Sequence, residues 1–175
     1  MLIALVIAGL VAGATGSWSP CGFSMIDTLG AGSRRTVRLA CLGFALGAPV
    51  GGVVTFGGLA AVGSALQGGG RALAVAAAIA ATAALLEAGG VRVVPQIRRQ
   101  VPESWRRVLP LPLAGLLYGV LLGMGFTTYV LSFAVPALAG VSTALGDPRL
   151  GLWLGVAFGV GRALPFVALA PLARG

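Results

Sequence analysis

Very few side chains in this 175-residue chain can do chemistry: two cysteines, four carboxylates and twelve cations, all arginine, with no histidine. Cys21 stands in Gly16-Ser17-Trp18-Ser19-Pro20-Cys21-Gly22-Phe23, a polar, proline-broken interruption of an apolar run that starts at Met1 and meets no basic residue before Arg34. A thiol pair that exchanges electrons needs one sulfur poised as thiolate and a second within reach, with Cα atoms about 4.4 to 6.8 Å apart. Cys41 is the second sulfur available within the chain. The competing readings are a small apolar helix residue for Cys41 and an inert residue beside a packing break for Cys21. So few ligand-type side chains argue against a zinc or haem site, and no cofactor or metal is expected.

Three charges are costly where they sit. Asp27 follows the proline break, Glu87 closes an apolar run, and Arg162 falls within another. An ionisable group inside an apolar span faces the protein interior and finds a partner. Asp27 and Arg162 form the better pair, as a structural ion pair or in gating or proton handling, whereas Glu87 can reach the interface or Arg92.

Composition decides what must position these residues. Hydrophobic residues make up 58% of the chain and charged residues 9%, which points to an all-α integral membrane protein with the bilayer as its first partner. The net charge of +8 does not indicate nucleic-acid binding, because the arginines lie in short loops between apolar runs, where they set orientation. The N-terminus lacks the basic start of a signal peptide. Five spans are expected: Met1 to about Gly32, Leu39 to Leu66, Ala72 to Gly90, Leu111 to Gly140, and Leu150 to Leu172. The first would be roughly 48 Å long as one helix, against about 30 Å of hydrocarbon, so a break is expected at Pro20. The fourth is also too long, and Thr127, Thr128 and Tyr129 mark its expected break, the hydroxyls bonding local backbone. Arg34, Arg35, Arg38, Arg92, Arg98, Arg99, Arg106 and Arg107 crowd two loops, against Arg71 and Arg149 in the opposite ones. By the positive-inside rule the Arg-rich loops and the C-terminus face the cytoplasm of a bacterial-type membrane, with the N-terminus outside. Trp105 and Trp153 read as interfacial anchors, whereas Trp18 adjoins the break.

An internal repeat is legible as well. Leu42-Gly43-Phe44-Ala45-Leu46-Gly47 matches Leu154-Gly155-Val156-Ala157-Phe158-Gly159, and Gly9, Gly13, Phe23 and Gly30 align with Gly119, Gly123, Phe133 and Gly140. The expectation is one membrane domain over residues 1–175: an inverted repeat of about 1–90 and 111–175 around a cytoplasmic loop of about 91–110, with the first and fourth spans broken around a shared site. Gly-rich helices that merely resemble one another by composition are the alternative.

Ser19-Pro20-Cys21, Leu42-Gly43-Phe44-Ala45-Leu46-Gly47 and Gly161-Arg162-Ala163-Leu164-Pro165-Phe166 together resemble the CcdA family of cytochrome c biogenesis proteins and the transmembrane domain of DsbD. That resemblance implies a membrane thiol-disulfide oxidoreductase passing reducing equivalents from cytosolic thioredoxin to an extracytoplasmic thiol protein. It carries over Cys21 as catalytic thiol, to be resolved by Cys41 or by a partner's thiol, with Trp18, Pro20, Thr127, Thr128 and Tyr129 shaping the site. The chain departs from the family where the second repeat has no cysteine and a sixth span is missing. A redox-silent relative, acting as a small-solute carrier or a membrane-complex subunit, is therefore the second expectation.

Overall fold

The computed structural model describes residues 1–17, 33–66, 72–90, 108–125 and 133–169. Trp18, Pro20, Cys21, Asp27, Thr127, Thr128 and Tyr129 lie outside these residues, as does the loop that holds Arg92. All regular structure among the described residues is helical: α1 (Leu2–Gly16), α2 (Arg34–Gly52), α3 (Gly58–Leu66), α4 (Ala72–Ala88), α5 (Leu111–Gly123), α6 (Ala134–Leu145) and α7 (Pro148–Leu169). A π turn at Val53–Gly57 joins α2 to α3 into one rod, which leaves six helices among the described residues.

Local chemistry sets the ends of these elements. Ser33 caps α2, its hydroxyl accepting from the Thr36 amide at 3.3 Å, which satisfies one of the orphan donors of the first turn. Pro148 opens α7, where a missing donor costs nothing, and the Asp147 carboxylate accepts from the Arg149 amide at 2.9 Å. Gly146 ends α6 in the left-handed region, at φ 58°, where a Cβ would be strained. Pro49 lies inside α2 and cannot donate to the helix ladder; the π turn begins four residues later, and proline and π turns are the usual sites of helix irregularity. Ser142 of α6 donates its hydroxyl to the Phe56 carbonyl of that turn at 2.8 Å.

Helices are held by backbone brought close to backbone. A methyl placed on Gly13 of α1 would collide with the Phe158 carbonyl of α7, and one on Gly161 of α7 would collide with the Leu10 carbonyl of α1. The α2 and α5 pair does the same: Gly123 meets the Ala48 carbonyl and Gly51 meets the Val120 carbonyl. These contacts correspond position by position at a spacing of 110 residues, 13 with 123, 48 with 158, 10 with 120 and 51 with 161. Small residues that admit close approach are how helices associate where lipid removes the hydrophobic incentive. Two phenylalanine contacts fill the centre, Phe44 with Phe166 at 4.5 Å and Phe56 with Phe158 at 5.1 Å between ring centroids.

Two expectations are corrected here. The architecture is not the expected five-span, inverted-repeat integral membrane protein: what recurs is the packing of two helix pairs. Among the described residues only 34–66 and 148–169 are long and apolar enough to cross a bilayer, while Leu2–Gly16, Ala72–Ala88, Leu111–Gly123 and Ala134–Leu145 are shorter. Apolar runs do not reveal the residue at which helices stop: α1 stops at Gly16, ahead of Pro20, and within the expected fourth span α5 stops at Gly123, ahead of Thr127. The register of the hexamer match is also shifted. Gly119 packs on Phe44 and Gly9 on Leu154, so Phe44 rather than Leu42 is the counterpart of Leu154. A motif with glycine every fourth residue matches itself in several registers, and only the contacts choose among them.

Candidate functional site

Arg162 is the most unusual side chain that the fold places. It sits in the C-terminal half of α7 on the face toward α1 and is 1% exposed, as fully buried as Phe44, Phe56, Phe158 and Phe166. Its Nη1 donates to the Gly16 carbonyl, the last residue of α1, at 2.9 Å, and its guanidinium carbon stands 5.4 Å from the centroid of the Phe158 ring. Ser17 closes the contact from the other side, its hydroxyl within bonding distance of the Arg162 carbonyl at 3.1 Å and the Gly13 carbonyl at 3.2 Å. Gly16 leaves room for the guanidinium, which a Cβ there would approach to 3.0 Å. A cation at a helix C-terminus meets the negative end of the helix dipole and the carbonyls that the ladder leaves over. The arrangement fixes the end of α1 at the point where the chain enters the Trp18 to Cys21 stretch. It is an electrostatic and hydrogen-bonding clamp.

Glu87, which the sequence rates lowest of the three charges, has a defined role. Its Oε2 accepts from the Phe133 amide at 2.8 Å, so the carboxylate caps the N-terminus of α6, where negative charge is favoured. Pro136 in the first turn of α6 removes a further donor that would otherwise need a partner. The same carboxylate borders a cavity of about 320 Å³ between α1, α4 and α6. The signal that could have found it is an acid ending an apolar helix seventeen residues long.

Cys41 lies on α2, 7% exposed and packed with Val37. Its surroundings are those of a small apolar side chain in a helix interface. The expected meeting of Cys21 with Cys41, the pairing of Asp27 with Arg162 and the role of Thr127, Thr128 and Tyr129 fall on residues outside those described. Trp153 is 57% exposed on α7. Among the described residues no cluster of three or more histidine, cysteine or acidic side chains could hold a metal ion.

No family model matches the chain, and no solved structure matches it significantly. Curated proteins do. The chain is 35% identical over 172 residues to the Methylamine utilization protein MauF of Methylorubrum extorquens, covering 89% of this chain and 58% of that protein. It is 32% identical over 174 residues to MauF of Paracoccus versutus, with 93% and 63% covered, and 31% identical over 173 residues to MauF of Methylobacillus flagellatus, with 91% and 60% covered. The relatives share one name. The chain spans about 60% of the length of the curated relatives it matches.

These relatives correct the CcdA and DsbD resemblance and, with it, the reading as a cytochrome c biogenesis thiol-disulfide carrier. The motifs behind that resemblance were Pro-Cys, a Gly-spaced hexamer and Gly-Arg-Ala-Leu-Pro-Phe. In this fold the hexamer glycines serve helix approach and Arg162 clamps α1, which are packing demands any closely packed helical protein can share. The alternative, a redox-silent relative acting as a small-solute carrier or a membrane-complex subunit, is no better supported.

Proposed function

We propose that this chain serves methylamine utilisation, as a MauF-like helical protein seated in lipid. The observation that carries the reading is the similarity to MauF proteins across about nine tenths of the chain.

The outward faces support a lipid setting. Leu39, Leu42, Leu46, Val50 and Val54 form an exposed stripe along α2 and its π turn, and Ile3, Ile7 and Val11 form another along α1. The spacings of three and four residues keep each stripe on one helical face. Helix α4 is apolar all round, with Ala76 its one buried residue, a pattern suited to a surrounding without water. Water would make such contiguous apolar patches a liability. The arginine bias favours an orientation with the N-terminus outside and with the cytoplasm on the side of residues 91–107 and of the first turns of α2, which carry Arg34, Arg35 and Arg38.

Deleting the gene in the organism that encodes it tests the functional half of the reading. Growth with methylamine as nitrogen source is expected to fail while growth on ammonium is unchanged; equal growth on both would overturn it. Alkaline extraction of membranes from the same cells tests the setting. The chain is expected to stay in the pellet, and release into the supernatant would contradict lipid embedding.

A further inference from the structure

Phe158 of α7 is fully enclosed and meets several parts of the chain at once. Its ring takes the Phe56 ring of the π turn edge-on, at 5.1 Å between centroids and 66° between planes. The Arg162 guanidinium carbon lies 5.4 Å from its centroid. The end of α5 approaches as well. Gly125 stands in the left-handed region at φ 76°, and a Cβ there would come within 3.3 Å of the Phe158 Cζ and 3.1 Å of Val135. Ala12 of α1 and Val135 of α6 belong to the same apolar cluster as Phe56 and Phe158.

The π turn and the end of α1 both rest on α7. Helix α1 packs along it, with Gly13 on the Phe158 carbonyl and Leu10 under Gly161. The turn reaches it from the rod of α2 and α3, where Gly52 lies against the Gly155 carbonyl and Phe56 against Phe158. An edge-to-face pair fixes the orientation of both rings, and a cation beside a ring is held by that ring's quadrupole. A shift of Phe56 therefore changes both the position and the attraction that Phe158 offers to Arg162, since close-packed interiors transmit such strain. The turn is the part of the rod most able to shift. It follows Pro49, which cannot donate to the helix ladder, and π turns inside helices recur at functional sites. Ser142 pins it from α6, its hydroxyl donating to the Phe56 carbonyl at 2.8 Å.

We propose that Phe158 is a relay that couples the π turn at Val53–Gly57 to the Arg162 clamp, so that the state of the turn sets how firmly the end of α1 is held. The contacts fix the direction of the effect. With the turn in place, Phe158 is seated beside Arg162, and Arg162 Nη1 holds the Gly16 carbonyl at 2.9 Å. With the turn displaced, the ring loosens, the cation follows, and the last turn of α1 opens. A change more than thirty residues away along the chain from Gly16 is thus felt where the chain leaves α1.

Hydrogen exchange of the backbone amides, in the full-length chain held in lipid nanodiscs, tests this. The amides of Thr15, Gly16 and Ser17 report on the clamp, and those of Leu116 to Gly119 in α5 serve as the internal reference. Phe56→Leu should speed exchange at the end of α1 at least about twofold, the lower end of what an aromatic pair contributes, and leave the reference unchanged. Ser142→Ala perturbs the same turn more gently and should act in the same direction, which keeps the test open if Phe56→Leu does not fold. Arg162→Met should speed the same three amides by itself. Residues that act through one another are non-additive, so neither change at the turn should add to the exchange of these amides when Phe158→Leu or Arg162→Met is already present. Faster exchange at the π turn with none at Thr15 to Ser17 would overturn the relay. An effect that persists undiminished with Phe158→Leu would overturn it too, because the coupling would then run by another route. Equal acceleration of the reference amides would show general loosening of the fold and would count against it in the same way.

Discussion

At the scale of single residues, Arg162 and Ser142 make the contacts whose loss should be felt most sharply. Arg162 is buried, donates to the Gly16 carbonyl and lies near the Phe158 ring. A hydrogen bond from a charged group is worth about 1.5 to 3 kcal/mol and a desolvated cation over a ring up to about 2. Arg162→Met, which keeps much of the volume, should therefore destabilise the protein by about 2 to 4 kcal/mol, read as a lowered thermal midpoint in lipid nanodiscs. Arg162→Lys should recover part of the loss, because it restores the charge without the planar fork. A midpoint unchanged in Arg162→Met would mean that the clamp carries no stability. Ser142→Ala leaves the buried Phe56 carbonyl of the π turn without the hydroxyl that now reaches it at 2.8 Å and should cost about 1 to 3 kcal/mol in the same assay. Arg162 was legible in the sequence as a charge that must face inward. Its acceptor was not, because a helix C-terminus becomes a partner only once α1 is known to end at Gly16.

Between elements, the decisive interactions are the reciprocal glycine contacts of α1 with α7 and of α2 with α5. Gly123→Ala should destabilise by about 1 to 3 kcal/mol, since its Cβ would fall on the Ala48 carbonyl and the two helices would have to separate. Gly58→Ala is the matched control. Nothing lies within 4 Å of its added methyl, and a helical glycine replaced by alanine gains up to about 1 kcal/mol. Thermal midpoints moving in opposite directions are expected; a rise in both would show that helix propensity, rather than close approach, governs these glycines. The alignment of Gly9 and Gly13 with Gly119 and Gly123 was readable, and these glycines do sit in corresponding contacts. The helix ends were not readable to the residue, because no single residue forces the stop: α1 ends at Gly16, ahead of Pro20, and α5 ends at Gly123, ahead of Thr127. For the same reason Glu87 looked like a residue on its way to the interface. Its partner, the Phe133 amide, is 46 positions away, and no local pattern announces such a bond.

At the scale of the whole molecule, the lipid setting and the service in methylamine utilisation can each be tested. With the Arg-rich loops inside, an engineered cysteine in place of Thr36 should resist a membrane-impermeant thiol reagent added outside intact cells and react once the cells are opened. Ready labelling from outside would invert the orientation. Function was the least legible property. The pattern around Cys21 suggested electron transfer, yet the proteins that match over about nine tenths of the chain are named for methylamine utilisation. Short motifs in a Gly-rich, Ala-rich helical protein carry more information about packing than about reaction, so comparison along the chain was needed to separate the two. The most direct measurement of the central claim is methylamine consumption by washed cells: wild type, the deletion strain, and the deletion strain with the gene returned. The account predicts that methylamine stays in the medium with the deletion strain and disappears again when the gene is restored. Consumption by the deletion strain at the wild-type rate would contradict it.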